Sequence, residues 1–325
     1  MAIPFYLRLQ TIWKGRLVLI GRSQISSLPL PNGLPNVLEI PSSVKRSLKA
    51  VWRFTKTLHE AEGPFSASLC LPTSFSASFL MFLCGGEDCY GFSHRGNEIF
   101  FTDSIAWGDR FDTRHKSVRY QSLLRLLCPS YRMADGLPSL PSLVGNDQER
   151  ERLIVVAPLA SHPLRVWPYF PELIKQLSER LHDYEIVIIG KGDGNGAWHR
   201  TLKRLHIARI KNLIDKTSLL EVQVLLQRAC LLIANDSGIA HLASLTSTKS
   251  IVLFGPGSPN YVRPISRKAI VLRNKSLPCS PCEKTQCDLE FGYQTCLRSL
   301  SAEMVFDQVY RSLDEHTPVP DTLNP

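Results

Sequence analysis

Leu231-Leu232-Ile233-Ala234-Asn235-Asp236-Ser237-Gly238-Ile239-Ala240-His241 is an apolar run of strand length, then a polar turn, then a segment with helical spacing. Strand, Asp-Ser-Gly and helix in that order make a helix start at the C-terminal edge of a sheet, where open α/β folds bind ligands. The free N–H groups and the helix dipole at such a point suit a diphosphate or sugar hydroxyls. The residues equally suit a plain helix cap, and His241, one turn in, equally suits a packed, hydrogen-bonded histidine.

On either side the same alternation continues. Leu153–Ala157, Glu185–Ile189 and Ser250–Phe254 read as buried strands, and Tyr169–Leu181, Leu219–Ala229 and Ile239–Leu245 as helices. Continuous apolar strands separated by amphipathic helices are the pattern of a parallel sheet covered on both faces. In the first half, Leu17–Ile20, Val37–Ile40 and Ser68–Leu71 read as strands, and Val44–Glu60, Phe75–Leu83 and His115–Leu127 as helices. Tyr131–Arg150 is rich in Pro, Gly and Ser and closes on a charged run, as a linker does. These signals divide the chain into a domain at 1–135, a linker at 136–150, a second domain at 151–316 and a loose tail at 317–325.

The 325 residues are 44% hydrophobic and 21% charged, a globular balance that excludes a disordered chain. A formal net charge of +9 favours anionic partners: a nucleoside diphosphate, a phosphorylated lipid, or an acidic membrane surface. The basic residues are scattered rather than striped with aromatics, which argues against nucleic acid as a partner. No apolar run reaches the roughly 18–20 residues of a membrane span, and the start has no signal-peptide layout. Five of the nine cysteines lie mostly in apolar stretches, which suits a reducing cytoplasm. The other four, Cys279, Cys282, Cys287 and Cys296, crowd within eighteen residues; they suit either a structural metal or cluster, or free thiols.

Two common phosphate devices are missing. No G-x-x-x-x-G-K-[ST] occurs, and glycines 190, 192, 194 and 196 do not fit G-x-G-x-x-G. There is no Asp-x-Asp pair to hold a metal against a sugar nucleotide. A diphosphate handled by this chain must be met by helix ends and cations. Gly255-Pro256-Gly257-Ser258-Pro259, after the next strand, is a second candidate turn, with an ordinary backbone turn as its plain alternative.

Taken in order, these motifs resemble glycosyltransferase family 9, the ADP-heptose:lipopolysaccharide heptosyltransferases. The resemblance runs from about Leu17 to Val309 and rests on Ala157-Pro158, Arg165-Val166-Trp167-Pro168, Lys216-Thr217-Ser218-Leu219, Asn235-Asp236-Ser237-Gly238 with His241, and Leu253-Phe254-Gly255-Pro256. Leu71-Pro72-Thr73-Ser74-Phe75 is similar to the family's Leu-Pro-Asn-Ser-Phe turn, and Pro278-Cys279-Ser280-Pro281-Cys282 to a loop in part of the family.

The resemblance implies a GT-B fold, two Rossmann-like domains facing across a cleft, with the donor on the second. It implies cytoplasmic, metal-independent, inverting transfer from an ADP-heptose-like nucleotide sugar to a lipopolysaccharide-core or other glycolipid acceptor, with no bound cofactor and a possible peripheral contact with an anionic membrane. The implied donor site is Arg165, Lys216, Thr217, Ser218, Asp236, Ser237, Gly238 and His241. Arg165 stands where the family usually has lysine and would meet phosphate, bidentately if the geometry allows. Asp236 would hold sugar hydroxyls. Gly257 stands where heptosyltransferases commonly have threonine.

The family carries its base in a Gly-Asp turn after the first strand, and no Gly-Asp precedes Gly21. Met1–Phe5 resembles the middle of the helix that follows that turn. The catalytic residue is therefore unassigned. The resemblance implies either a start upstream of Met1 or a truncated relative that binds nucleotide sugar without turnover. Other classes carry less: an epimerase lacks its acidic motifs here, and a metal-dependent nucleic-acid binder rests only on charge and four cysteines.

Overall fold

The computed structural model describes all residues except 23–29, 31–34, 36, 46, 109–113, 134–137, 139, 141–149, 193–195, 206–208, 291 and 315–325. Two compact units follow one another, Met1–Pro138 and Ser139–Pro325. Most of the expected linker at 136–150, and all of the expected tail at 317–325, lie outside the described residues.

Unit 1 contains helix α1 (Ile3–Ile12), strands β1 (Leu19–Gly21) and β2 (Val37–Glu39), helix α2 (Leu48–Glu62), β3 (Phe65–Cys70), α3 (Phe75–Leu83), β4 (Gly86–Ser93), β5 (Asp103–Ala106), α4 (Lys116–Ser122) and α5 (Leu124–Leu127). Its strands form a parallel pair, β1-β2, and a parallel three-stranded sheet, β3-β4-β5.

This half departs from the expected elements at several points. The helix expected over Val44–Glu60 is a 3₁₀ turn at Ser42–Lys45 and then α2, which begins where the Ser47 hydroxyl accepts from the Ala50 N–H. His115–Leu127 is two short helices meeting at Leu123, not one. Strands β4 and β5 were not expected. Gly-Glu-Asp-Cys-Tyr-Gly-Phe-Ser has weak strand propensity, and β4 forms because it pairs on both sides. Gly91 fits there because any Cβ would strike the Phe101 ring, 2.2 Å away.

Unit 2 is more regular: β6 (Glu151–Ala157), α6 (Phe170–Arg180), β7 (Glu185–Ile188), α7 (Ala197–Leu205), β8 (Ile210–Asn212), α8 (Leu219–Arg228), β9 (Ala229–Asn235), α9 (Gly238–Leu245), β10 (Lys249–Leu253), α10 (Pro259–Val262), β11 (Ala269–Leu272), α11 (Thr295–Arg298) and α12 (Ala302–Leu313). Its six strands are all parallel in the order β11-β10-β9-β6-β7-β8. Leu153–Ala157 are fully buried because helices cover both faces of the central strand. Helix α6 buries Phe170, Leu173, Ile174 and Leu177, the stripe that its spacing predicts. The core closes around Trp167, whose indole N–H donates to the Leu300 carbonyl at 2.8 Å.

The strand order fixes where a ligand can sit. The chain lays down β6, β7 and β8 in one direction, then returns to place β9 on the other side of β6 and continues outward. The loops leaving β6 and β9 therefore part from neighbouring strands in opposite directions. The crevice at such a reversal is the binding position of doubly wound sheets.

Candidate functional site

Arg165 and Asp236 meet at that reversal. Arg165 ends a 3₁₀ turn (Pro163–Arg165) in the loop after β6, and Asp236 is the first residue beyond β9. An Arg165 guanidinium nitrogen lies 3.0 Å from Asp236 Oδ2. Asp236 is nearly buried, whereas Arg165 keeps a third of its side chain exposed, so the cation is the partner that an incoming ligand can reach.

Burial pushes the Asp236 carboxyl up to about 6; the Arg165 guanidinium opposes that shift and the Glu283 carboxylate adds to it. An opposite charge by itself lowers a carboxyl. Here desolvation exceeds the attraction, because Asp236 has given up nearly all its water for one partially solvated partner.

Both residues are held by the backbone around them. Asp236 donates its N–H to the Leu253 carbonyl at the end of β10, at 3.2 Å. The buried Asn235 side chain accepts from the Trp167 N–H at 3.0 Å and donates to the Pro158 carbonyl at 2.8 Å. It thus ties the β6 loop to the end of β9. Gln294 donates to the carbonyls of Leu164 (3.0 Å) and Val166 (2.7 Å), one on each side of Arg165. Neither Asn235 nor Gln294 was legible as a positioning residue. Asn235 adjoins the motif but carries no separate signal, and Gln294 acts from 128 residues further along the chain.

Gly238 opens α9, with Ser237 at its N-cap position. The Ser237 side chain caps nothing, and its buried hydroxyl has no hydrogen-bond partner among the described residues. Neither expected cap, Asp236 or Ser237, therefore serves the helix through its side chain. Asp236 instead pairs with Arg165, and the Ser237 hydroxyl, without a partner among the described residues, lies at the N-terminus of α9 beside that pair. His241 is half-buried one turn into α9 and has an interaction of its own.

Gly255-Pro256-Gly257 is fully buried at the end of β10. A Cβ on Gly257 would lie 2.6 Å from Asp236 Oδ2, so the glycine makes the room that the carboxylate occupies. The cysteine loop packs on this turn: Cys282 and Glu283 donate their N–H groups to the Pro256 carbonyl at 3.1 and 2.8 Å, and the Ser280 hydroxyl donates to the Gly255 carbonyl at 2.7 Å. Burial raises the Cys296 thiol, and Cys282, Cys279 and Cys287 raise it further. None of the four cysteines is in a disulfide, and no group of three His, Cys, Asp or Glu side chains is placed to hold a metal among the described residues. The loop buttresses the Gly255-Pro256-Gly257 turn.

Lys216, Thr217 and Ser218 leave the edge strand β8, three strands from β9. Lys216 is exposed and donates to the Asn212 carbonyl at 3.2 Å. Ser218 caps α8 reciprocally with Glu221, accepting from its N–H at 3.2 Å and donating to its carboxylate at 2.8 Å. Its hydroxyl is committed to the helix. The structure thus gathers Arg165, Asp236, Ser237 and Gly238 at one point and sets Lys216–Ser218 apart, on the same C-terminal edge.

A sequence profile of glycosyltransferase family 9 (heptosyltransferase) matches residues 51–291. Lipopolysaccharide heptosyltransferase 2 of Escherichia coli K12 is 26% identical over 306 residues, covering 86% of this chain and 85% of that protein. Lipopolysaccharide heptosyltransferase 1 of Pseudomonas aeruginosa is 28% identical over 197 residues, 56% of this chain and 50% of that protein. Among solved structures, E. coli ADP-heptose lps heptosyltransferase II superposes with a TM-score of 0.74 at 22% identity, covering 96% of this chain and 94% of that one. E. coli heptosyltransferase WaaC with ADP superposes with a TM-score of 0.71 at 17% identity, covering 96% and 95%. These likenesses show the GT-B type of α/β fold, built here from two parallel-sheet units.

Proposed function

Because the chain belongs to glycosyltransferase family 9, we propose that it transfers a heptose from a nucleoside-diphosphate donor of the ADP-heptose type to a lipopolysaccharide-core acceptor. The observation that carries this reading is the Arg165–Asp236 pair at the strand-order reversal, with the Ser237 hydroxyl at the N-terminus of α9 beside it. The donor named for its lipopolysaccharide relatives supports ADP-heptose in particular.

In inverting transfer the acceptor oxygen bonds to the anomeric carbon as the bond to the diphosphate oxygen breaks. The acceptor hydroxyl gives its proton to a base. Charge accumulates on the departing diphosphate, so a preorganised cation and dipole there lower the barrier. Arg165 is the cation, and the α9 N-terminus supplies N–H groups without needing a metal. Asp236 orients Arg165 and is within the same crevice to accept hydrogen bonds from sugar hydroxyls. Lys216, Thr217 and Ser218 border the nucleotide end, and His241 lies one turn behind the phosphate position. The net charge of +9 suits work at the cytoplasmic face of an anionic membrane, where a glycolipid acceptor is held; no described helix is long and apolar enough to cross it.

Titration of ADP-heptose into the whole protein, with mass spectrometry of a core acceptor after incubation, tests the proposal. One added heptosyl mass is expected, with donor affinity and product both reduced by Arg165→Ala. Failure to bind ADP-heptose, or binding indifferent to Arg165→Ala, would overturn it.

A further inference from the structure

Alternate residues of β3 face two helix layers. Leu69 packs into the cluster around Phe5 and Leu9 of α1, whereas the Cys70 thiol approaches the Ser78 hydroxyl of α3 at 3.9 Å. Helix α2 lies beside α3 in the second layer: the His59 ring sits 3.4 Å from where a Cβ on Gly85, just past α3, would lie. The 3₁₀ turn Asn97–Phe100 flanks α3, with the Phe100 ring 4.8, 5.5 and 5.8 Å from the rings of Phe75, Phe79 and Phe82.

This second layer is where unit 1 leaves apolar side chains in water. Leu48 is 75% exposed and Trp52 61%, one turn apart on α2, and Phe75, Phe82 and Ile99 are each more than half exposed. Helices α1, α4 and α5 expose no large hydrophobic side chain among the described residues. Apolar residues scattered singly over a surface are ordinary, but five gathered on one layer mark an interaction face.

The charge on the same layer indicates its partner. Residues 40–59 hold five Lys and Arg and no Asp or Glu, and residues 71–86 hold no charged side chain at all. Lys45, Lys49, Arg53 and Lys56 are exposed, and Lys56 Nζ lies 5.2 Å from the centre of the Trp52 ring. Carboxylates are kept to the margin: Glu60 and Glu62 stand at the far end of α2, paired with Lys56 at 3.8 Å and Arg16 at 3.0 Å, and Glu98 lies on the turn. Aromatic and aliphatic groups beside exposed cations are the make-up of a surface that sits among the headgroups of an anionic bilayer. A second copy fits less well, because a two-fold contact would bring two sets of α2 cations into one interface.

We propose that the α2–α3 layer is a membrane-docking face, which seats unit 1 on an anionic phospholipid bilayer with Leu48, Trp52 and the α3 phenylalanines at headgroup depth and the α2 cations against lipid phosphates. It extends the reading above, in which the glycolipid acceptor is held in a membrane, by naming the surface that meets that membrane. The donor residues of the second unit take no part in it.

The test uses the whole protein and vesicles of phosphatidylcholine, alone or with one third phosphatidylglycerol, with no donor or acceptor present. Cosedimentation should show about tenfold stronger binding to the anionic vesicles, weakening as salt is raised. Leu48→Glu with Trp52→Glu, and separately Lys49→Glu with Arg53→Glu, should each lose about tenfold in vesicle binding. Lys203→Glu with Lys211→Glu, the same charge change on the second unit, should leave it in place. All these positions are exposed, so ADP-heptose titration should give the wild-type affinity for every variant and confirm that each is folded. Equal binding to neutral vesicles would overturn the proposal, as would full anionic-vesicle binding by either α2 variant. Self-association that the Leu48→Glu, Trp52→Glu protein loses, with no vesicle binding by the wild type, would also overturn it and assign the face to a second copy. Vesicle binding without ADP-heptose binding would instead overturn the donor reading and leave the docking face standing.

Discussion

Gly257 stands so close over Asp236 that a Cβ there would lie 2.6 Å from the carboxylate oxygen that pairs with Arg165. The obstructing atom is the end of a side chain and not backbone. The Gly257→Ala fold can therefore survive by turning the carboxylate away, at about 1–3 kcal/mol of stability. The ion pair cannot survive that turn. Donor affinity is expected to fall about tenfold, equivalent to about 1.4 kcal/mol, in calorimetric titration. Unchanged affinity in a folded Gly257→Ala protein would show that Asp236 has slack that the geometry does not reveal.

Asp236→Ala is expected to weaken binding of the nucleotide sugar more than binding of the bare nucleotide. In the proposed pose the carboxylate accepts hydrogen bonds from sugar hydroxyls, whereas the bare nucleotide would meet Arg165 and the α9 N-terminus. Titrating both ligands into both proteins separates the roles. An equal loss for the two ligands would leave Asp236 as no more than the orienter of Arg165.

Asp236 also predicts a pH dependence with a definite sign. Its carboxyl is raised from 3.8 to about 6 in the folded protein, so the native state holds the proton more tightly than the unfolded chain does. Its contribution to stability is present below pH 4 and is lost as pH rises through 6. Asp236→Asn cannot titrate there. The stability of the wild type relative to that variant, from denaturant melts, should fall between pH 4 and 6 and be flat above. A difference that rises over this window would mean that the Arg165 attraction outweighs burial.

Gln294 is expected to matter for donor binding without touching the donor. Its amide satisfies the Leu164 and Val166 carbonyls on either side of Arg165. Gln294→Leu leaves both acceptors buried without a donor, a cost of about 1–3 kcal/mol each if water cannot reach them. The readout that separates positioning from stability is KM for the donor at a temperature where the variant is fully folded. KM should rise with Arg165 still present. A variant that melts earlier but binds normally would reduce Gln294 to a structural role.

Ser237→Ala should give opposite answers in two assays. The buried hydroxyl has no partner among the described residues, so its removal should be neutral or stabilising in thermal melts. If the hydroxyl meets the donor, affinity should still drop by several-fold. Unaltered affinity would remove Ser237 from the site.

The second half of the fold was open to reading because each of its strands is apolar on both faces and each helix carries one apolar stripe. Leu153–Ala157 and Phe170–Leu177 have one sensible burial each, and the Asp-Ser-Gly turn after Leu231–Ala234 marks its own place at the sheet edge. Arg165 and Asp236 were individually visible for the same reason: both sit in turns directly after recognisable strands. Their contact was not. It spans 71 residues and exists only because the strand order reverses between β6 and β9.

The first half shows the other limit. Gly86–Ser93 has little strand propensity of its own and becomes β4 through neighbours on both sides. The sequence by itself determined the alternation of elements, the family and the short list of polar candidates in turns after the second sheet's strands, because periodicity and turn chemistry are local. Only the tertiary structure decided which of those residues meet, why position 257 must be glycine, that Ser218 is spent on a helix cap, and that the exposed apolar residues of α2 and α3 share one layer. Each of these depends on a distance between residues far apart in the chain, which packing fixes and local pattern does not encode.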